Sequence, residues 1–210
     1  MKENANKSVE RKGISFSPYF HTALRFYDMV LDAEKALGAK EKELQEEYSG
    51  YGIADFKIAI YSATRKEFSQ LNEFSTATQI FSCMAIESFL NFYGVNQLGE
   101  DFYKRNFERL SPNQKLEALI AIAVHLSLEK EDDICKVVRR MFDQRNHLVH
   151  PKAKQIKADS EKIEIIFGTD NPVSDAKKMV GDMRLFFDLF RKLDPSHGSL
   201  IDYLTKEELF

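Results

Sequence analysis

The sequence predicts an all-α fold, an antiparallel helical bundle, and three observations predict it. Gly and Pro are scarce, at 9 and 5 of 210 residues, so few positions interrupt a helix. Apolar residues recur at three- and four-residue spacing along most of the chain. Two segments, Ser111-Pro112-Asn113-Gln114 and Asn171-Pro172, carry helix-start chemistry, in which a capping side chain precedes a proline suited to the first turn. At 43% apolar residues the chain has enough to bury one sizeable core.

The elements follow in order. Residues 1–17 are polar and basic without periodicity and are expected to form a loose tail, leaving 18–210 as a single helical domain. Tyr19 to Glu47 reads as a long amphipathic helix on Phe20, Leu24, Tyr27, Leu31 and Leu37. Tyr48-Ser49-Gly50-Tyr51-Gly52 breaks it. Ile53 to Gln70 is a second helix and Glu73 to Val95 a third, with Ile80, Phe81, Met84, Ser88 and Phe92 on one side; Gly94 to Gly99 ends it. Asp101 to Arg109 is short and aromatic. The capped helix opened by Ser111 runs to about Leu128, and another runs from about Lys130 to His150, where Pro151 disfavours further helical geometry. Residues 162–168 alternate polar and apolar side chains, which admits a short strand or hairpin or an extended loop. Asn171-Pro172 opens a helix through Leu193, and Asp194-Pro195-Ser196-His197-Gly198 turns the chain into a short terminal helix.

Charge and cysteine usage narrow the function classes. Net charge is −3, so bulk electrostatics does not mark a nucleic-acid binder. The distribution is uneven, however. Between Arg139 and Lys157 six bases (Arg139, Arg140, Arg145, Lys152, Lys154, Lys157) face one acid, Asp143. Two readings stand: a solvated helix end whose cations suit the helix dipole, or a local phosphate-binding patch drawing on Arg139, Arg140, Lys152 and Lys154. No apolar run approaches the roughly 20 residues that cross a bilayer, no apolar signal region follows Met1-Lys2-Glu3-Asn4, and no membrane partner is expected. Cys83 and Cys135 fit reduced, buried thiols, so a cytoplasmic location is expected. Phosphate loops, nucleophile elbows, CxxC pairs and HExxH are absent from the sequence.

One segment stands apart, Arg145-Asn146-His147-Leu148-Val149-His150-Pro151. On an ideal helix, Ile134, Val138, Met141, Phe142, Leu148 and Val149 all fall within roughly 60–70° of Arg145. Arg145 therefore lies in the middle of an apolar stripe. A guanidinium does not shed its proton, and burying it unpaired costs several kcal/mol. It requires a carboxylate, a ligand or a second subunit. Glu87 and Asn91, four residues apart on or beside the face built from Ala77, Ile80 and Met84, are candidates to steady it, or else they face a polar rim. Asp143, His147 and His150 have the spacing of a metal-binding face, but no fourth ligand accompanies them, and neither a metal nor another cofactor is expected. His125 reads as a core or boundary histidine.

Arg145-Asn146-His147-Leu148-Val149-His150 resembles the signature of HEPN domains, a helical family of prokaryotic toxins, phage-defence proteins and RNA-processing enzymes. That signature is an Arg, a polar residue, a few further residues and a His. Ala85-Ile86-Glu87-Ser88-Phe89-Leu90-Asn91 resembles the acidic stretch of an earlier family helix; the rest of the chain matches only in helical character. The resemblance implies a bundle of about four core helices plus additional ones. It also implies a metal-independent endoribonuclease that dimerises so that two signature motifs face each other. The apolar stripe around Arg145 would then be partly dimer interface. In the family's toxins that are paired with a nucleotidyltransferase antitoxin, a Tyr follows two residues after the signature His, as the site of modification. Here Pro151-Lys152 follow instead, although an antitoxin or other protein partner stays compatible with the family. Some members have lost catalysis and act as interaction modules, in which case Arg145 would sit in a structural ion pair with Glu87 or Asp143.

The residue chemistry suits RNA cleavage by 2′-hydroxyl attack. His150 is suited to moving protons near neutral pH. Arg145 is suited to phosphate oxygens and stays charged. Asn146 is placed to orient the phosphate or His150, with His147, Glu87 and Asn91 supporting. On an ideal helix His150 points roughly 140° away from Arg145. The helix must therefore end or bend, or the site must combine Arg145 and His150 from opposite chains.

Overall fold

The computed structural model describes residues 17–48, 53–150 and 171–205. Among them the fold is a helical bundle without strands. The helices are α1 (Ser17–Glu47), α2 (Ile53–Leu98), α3 (Glu100–Asn106), α4 (Pro112–Ala123), α5 (Asp133–Val149), α6 (Pro172–Leu193) and α7 (Gly198–Thr205), with a 3₁₀ turn Pro195–His197 before the last. The alternating stretch 162–168 and nearly all of the expected tail lie outside the described residues. Ser17, assigned to that tail, is instead a buried part of α1.

α2 is the axis of the bundle and the largest departure from the expected elements. Two helices separated near Leu71-Asn72 were expected, but one helix of 46 residues runs through. No Gly or Pro interrupts it there. Leu71 is buried beside Val30 and Ala176, and Asn72 donates its side-chain N–H to the Phe68 carbonyl one turn back. Thr64, Thr78 and Ser82 likewise bond the carbonyls four residues earlier, which satisfies hydroxyls inside a helix. Gly94, read as part of a stop, lies within α2 and serves close packing. A Cβ there would come within 2.3 Å of the Tyr103 ring and 3.1 Å of Leu119. The chain turns just past the end of α2, at Gly99, where φ is +80°.

The contacts along α2 set the directions of its neighbours. α1 runs antiparallel to it, since Tyr19 stacks near Phe81 and Lys40 pairs with Glu67. α5 also runs antiparallel, with Gln144 on Gln79 and Met141 on Cys83. α6 runs parallel, from Ser75–Pro172 to Tyr93–Asp194. The deepest face of α2 is Ser82, Cys83, Ile86, Phe89, Leu90 and Tyr93. The face expected from Ala77, Ile80 and Met84 is only half buried. Phe89 meets Phe190 edge to face at 4.7 Å, with Phe186 and Phe187 alongside, a geometry worth about 1 kcal/mol per pair beyond burial.

The capping box at Ser111 and Gln114 forms as the sequence implies. α4 stops at Ala123, short of Leu128, because the chain turns into left-handed geometry at His125, φ +59°. His125 is exposed rather than a core histidine. The Asn171 cap, α6 and the short terminal helix all lie where expected.

Candidate active site

α5 forms because its apolar residues share one face: Ile134, Cys135, Val137, Val138, Met141 and Phe142 are buried. The helix ends at His150, which leaves helical geometry (φ −125°, ψ 66°) while its N–H still donates to the Asn146 carbonyl. Pro151 accounts for the departure. The stripe that buries Val138 and Met141 continues through Arg145 and Leu148, but both are only half buried, and Asn146, His147, Val149 and His150 are exposed. The motif thus sits where the apolar face of α5 emerges at the surface.

Arg145 has a sparse environment. Its guanidinium donates to Asn146 Oδ1 at 3.4 Å. Among the described residues no carboxylate lies within 4.0 Å of it. It is close enough to act on the buried Cys83 thiol, whose Sγ faces the Met141 carbonyl at 3.5 Å. Burial pushes that thiol up to about 12; Arg145 opposes the rise and Glu87 adds to it. His147 Nδ1 lies 2.6 Å from the Asp143 carbonyl oxygen. A carbonyl only accepts, so Nδ1 carries the proton and donates. Asp143, His147 and His150 do not gather: among the described residues no group of three or more His, Cys, Asp or Glu side chains is placed to hold a metal ion.

Glu87 and Asn91 do not reach Arg145. Asn91 Oδ1 accepts from Tyr103 Oη at 2.6 Å and from Lys115 Nζ at 2.8 Å. Glu87 lies 4.0 Å from the same ammonium. Lys115, with 2% of its side chain exposed, was not singled out from the sequence. The signal was present: on α4 it falls about 40° from Leu119, the same kind of charge-in-stripe anomaly as Arg145. Burial pushes its pKa down, opposed by Glu87 and Glu108.

The expected phosphate patch is smaller than its sequence. Arg140 is committed to Asp182 through two parallel bonds, Nε to Oδ2 at 2.7 Å and Nη2 to Oδ1 at 2.5 Å, which removes it from the candidate set. Arg139 donates to the Lys130 carbonyl at 3.2 Å and remains half exposed. Lys152 and Lys154 lie outside the described residues.

A second polar cluster fastens the chain after α6. Asp194 accepts from Tyr93 Oη at 2.7 Å, lies 2.8 Å from His197 Nδ1, and accepts from the Ser196 backbone at 3.1 Å. Burial pushes this carboxyl up, but the bonds from Ser196, Tyr93 and His197 outweigh it and hold it below its ordinary range.

Comparison with protein-family models, with curated proteins and with solved structures finds no match to this chain. Among the described residues no helix is long and apolar enough to cross a membrane.

Proposed function

We propose that this protein is a metal-independent endoribonuclease of the HEPN type, acting as a cytoplasmic homodimer in defence or stress response. Arg145 holds the phosphate and the charge that develops on it, His150 moves the proton, and Asn146 orients the group between them. The 2′-hydroxyl is the nucleophile, which restricts cleavage to RNA. Any antitoxin or other protein partner would act on this dimer.

One observation carries the reading. Two arginines of the same helix are treated differently: Arg140 is paired twice with Asp182, while Arg145 is half exposed with no carboxylate within 4.0 Å among the described residues. A structural ion pair with Glu87 or Asp143, the basis of the interaction-module alternative, therefore lacks support within one subunit. A phosphate is a partner that such a planar fork suits. The test is digestion of RNA by the purified protein in EDTA, beside Arg145→Ala and His150→Ala. Loss of cleavage in both variants supports the reading. No cleavage by the unaltered protein, or undiminished cleavage by both variants, removes it.

A further inference from the structure

We propose that Ser75, Gln79 and Gln144 are positioning residues that set the rotation of the last turns of α5, and with it where Arg145 and His150 point. The proposal rests on the ribonuclease reading for its consequence but not for its geometry.

The three side chains form one directed chain of hydrogen bonds across three helices. Ser75 Oγ lies 2.6 Å from the Pro172 carbonyl at the start of α6. A carbonyl only accepts, so the hydroxyl hydrogen points there, and Ser75 Oγ is left to accept from Gln79 Nε2 at 3.2 Å. That fixes the orientation of the Gln79 amide and turns its oxygen towards α5, where it accepts from Gln144 Nε2 at 2.7 Å. Ser75 is 1% exposed and Gln79 fully buried. The ladder joins the end of α5 to the start of α6, on either side of residues 151–170.

Its position gives it a task that apolar packing performs poorly. Burial of apolar surface is non-directional, so the Val138 and Met141 side of α5 resists separation more than rotation. Hydrogen bonds weaken steeply when misaligned. A chain of them ending on Gln144, next to Arg145, pins the azimuth of the helix where the motif leaves the core. A displacement of about 1 Å at a reacting group costs on the order of a hundredfold in rate.

The test compares Gln144→Met, which keeps length and helix preference but loses the donor, with Val30→Ala, a core truncation on α1 in the smaller apolar cluster that includes no residue of α5. Three quantities are read on the full chain: melting temperature, RNA cleavage in EDTA resolved into kcat and KM, and the ¹H–¹⁵N signals of Arg145 Nε and the His150 amide. The expected result is a fall of tenfold or more in kcat for Gln144→Met, a smaller change in KM, and displaced Arg145 and His150 signals. Val30→Ala should lower the melting temperature with kcat and both signals near those of the unaltered protein. Unmoved signals and an unchanged kcat in Gln144→Met would overturn the proposal, leaving the ladder as core structure only. So would a Val30→Ala protein with the same loss. If the unaltered protein cuts no RNA, the ribonuclease reading falls separately, and the two signals alone decide the ladder: displacement sustains it and its absence overturns it.

Discussion

Lys115 on α4 donates to Asn91 on α2 at 2.8 Å with 2% of its side chain exposed. A lysine in the core is thereby held mainly by a neutral amide, with Glu87 at 4.0 Å.

The pair has an asymmetric mutational signature. Asn91→Ala leaves both Lys115 and the Tyr103 hydroxyl without this acceptor and should cost about 3 kcal/mol. Lys115→Met removes the charge and leaves Asn91 bonded to Tyr103, so it should lie within about 1 kcal/mol of the unaltered protein. Urea titration of both variants measures the difference.

Acid should release the end of α6. The Asp194 carboxyl is held below its ordinary value in the fold, so its contribution to stability is present above that value and is lost as pH falls through the folded pKa. The stability curve should therefore drop as pH falls through and below the ordinary carboxyl range, about pH 4. Asp194→Asn should be less stable near neutrality and show a shallower acid limb. Melting temperature against pH checks both.

Much of this arrangement was legible in the sequence, and the failures have physical causes. The capping box and the Asn171 cap were readable because both rest on local bonds within one turn. The continuity of α2 was not, because Leu71 is held by Val30 and Ala176, which are distant in sequence. The anomaly at Arg145 was readable from angular position alone, but the same position did not show that the stripe emerges at the surface there. The commitment of Arg140 to Asp182 and of Asn91 to Lys115 depended on which helices became neighbours, which helical periodicity does not encode. The Ser75–Gln79–Gln144 ladder was hidden for the same reason.

Arg140 and His147 should behave as structural neighbours of the site. Arg140→Ala leaves Asp182 without its partner and should cost about 1–2 kcal/mol, a figure discounted because Arg140 is 40% exposed. Its RNA cleavage per folded molecule should fall far less than that of Arg145→Ala. His147→Ala loses a bond to the Asp143 carbonyl and should likewise be far milder than His150→Ala. Circular dichroism melts beside initial cleavage rates check the pair.

The protein should be a homodimer with the two α5 ends together. Arg145 and Leu148 are half buried and Val149 is 43% exposed on an emerging apolar face, which a second copy would cover. Light scattering should give twice the chain mass of 24.3 kDa, and Val149→Glu should return the monomer mass. A monomer at high micromolar concentration would contradict a site shared between subunits.

The measurement that tests the central claim most directly is analysis of RNA ends produced in EDTA by the unaltered protein and by Arg145→Ala. The account predicts fragments ending in 2′,3′-cyclic phosphate from the unaltered protein, because the 2′-hydroxyl attacks the neighbouring phosphate while Arg145 meets the charge. Arg145→Ala, shown folded by its melting curve, should produce none above background. Fragments with simple hydrolytic ends that vanish on chelation, or the same cyclic ends from both proteins, would contradict it.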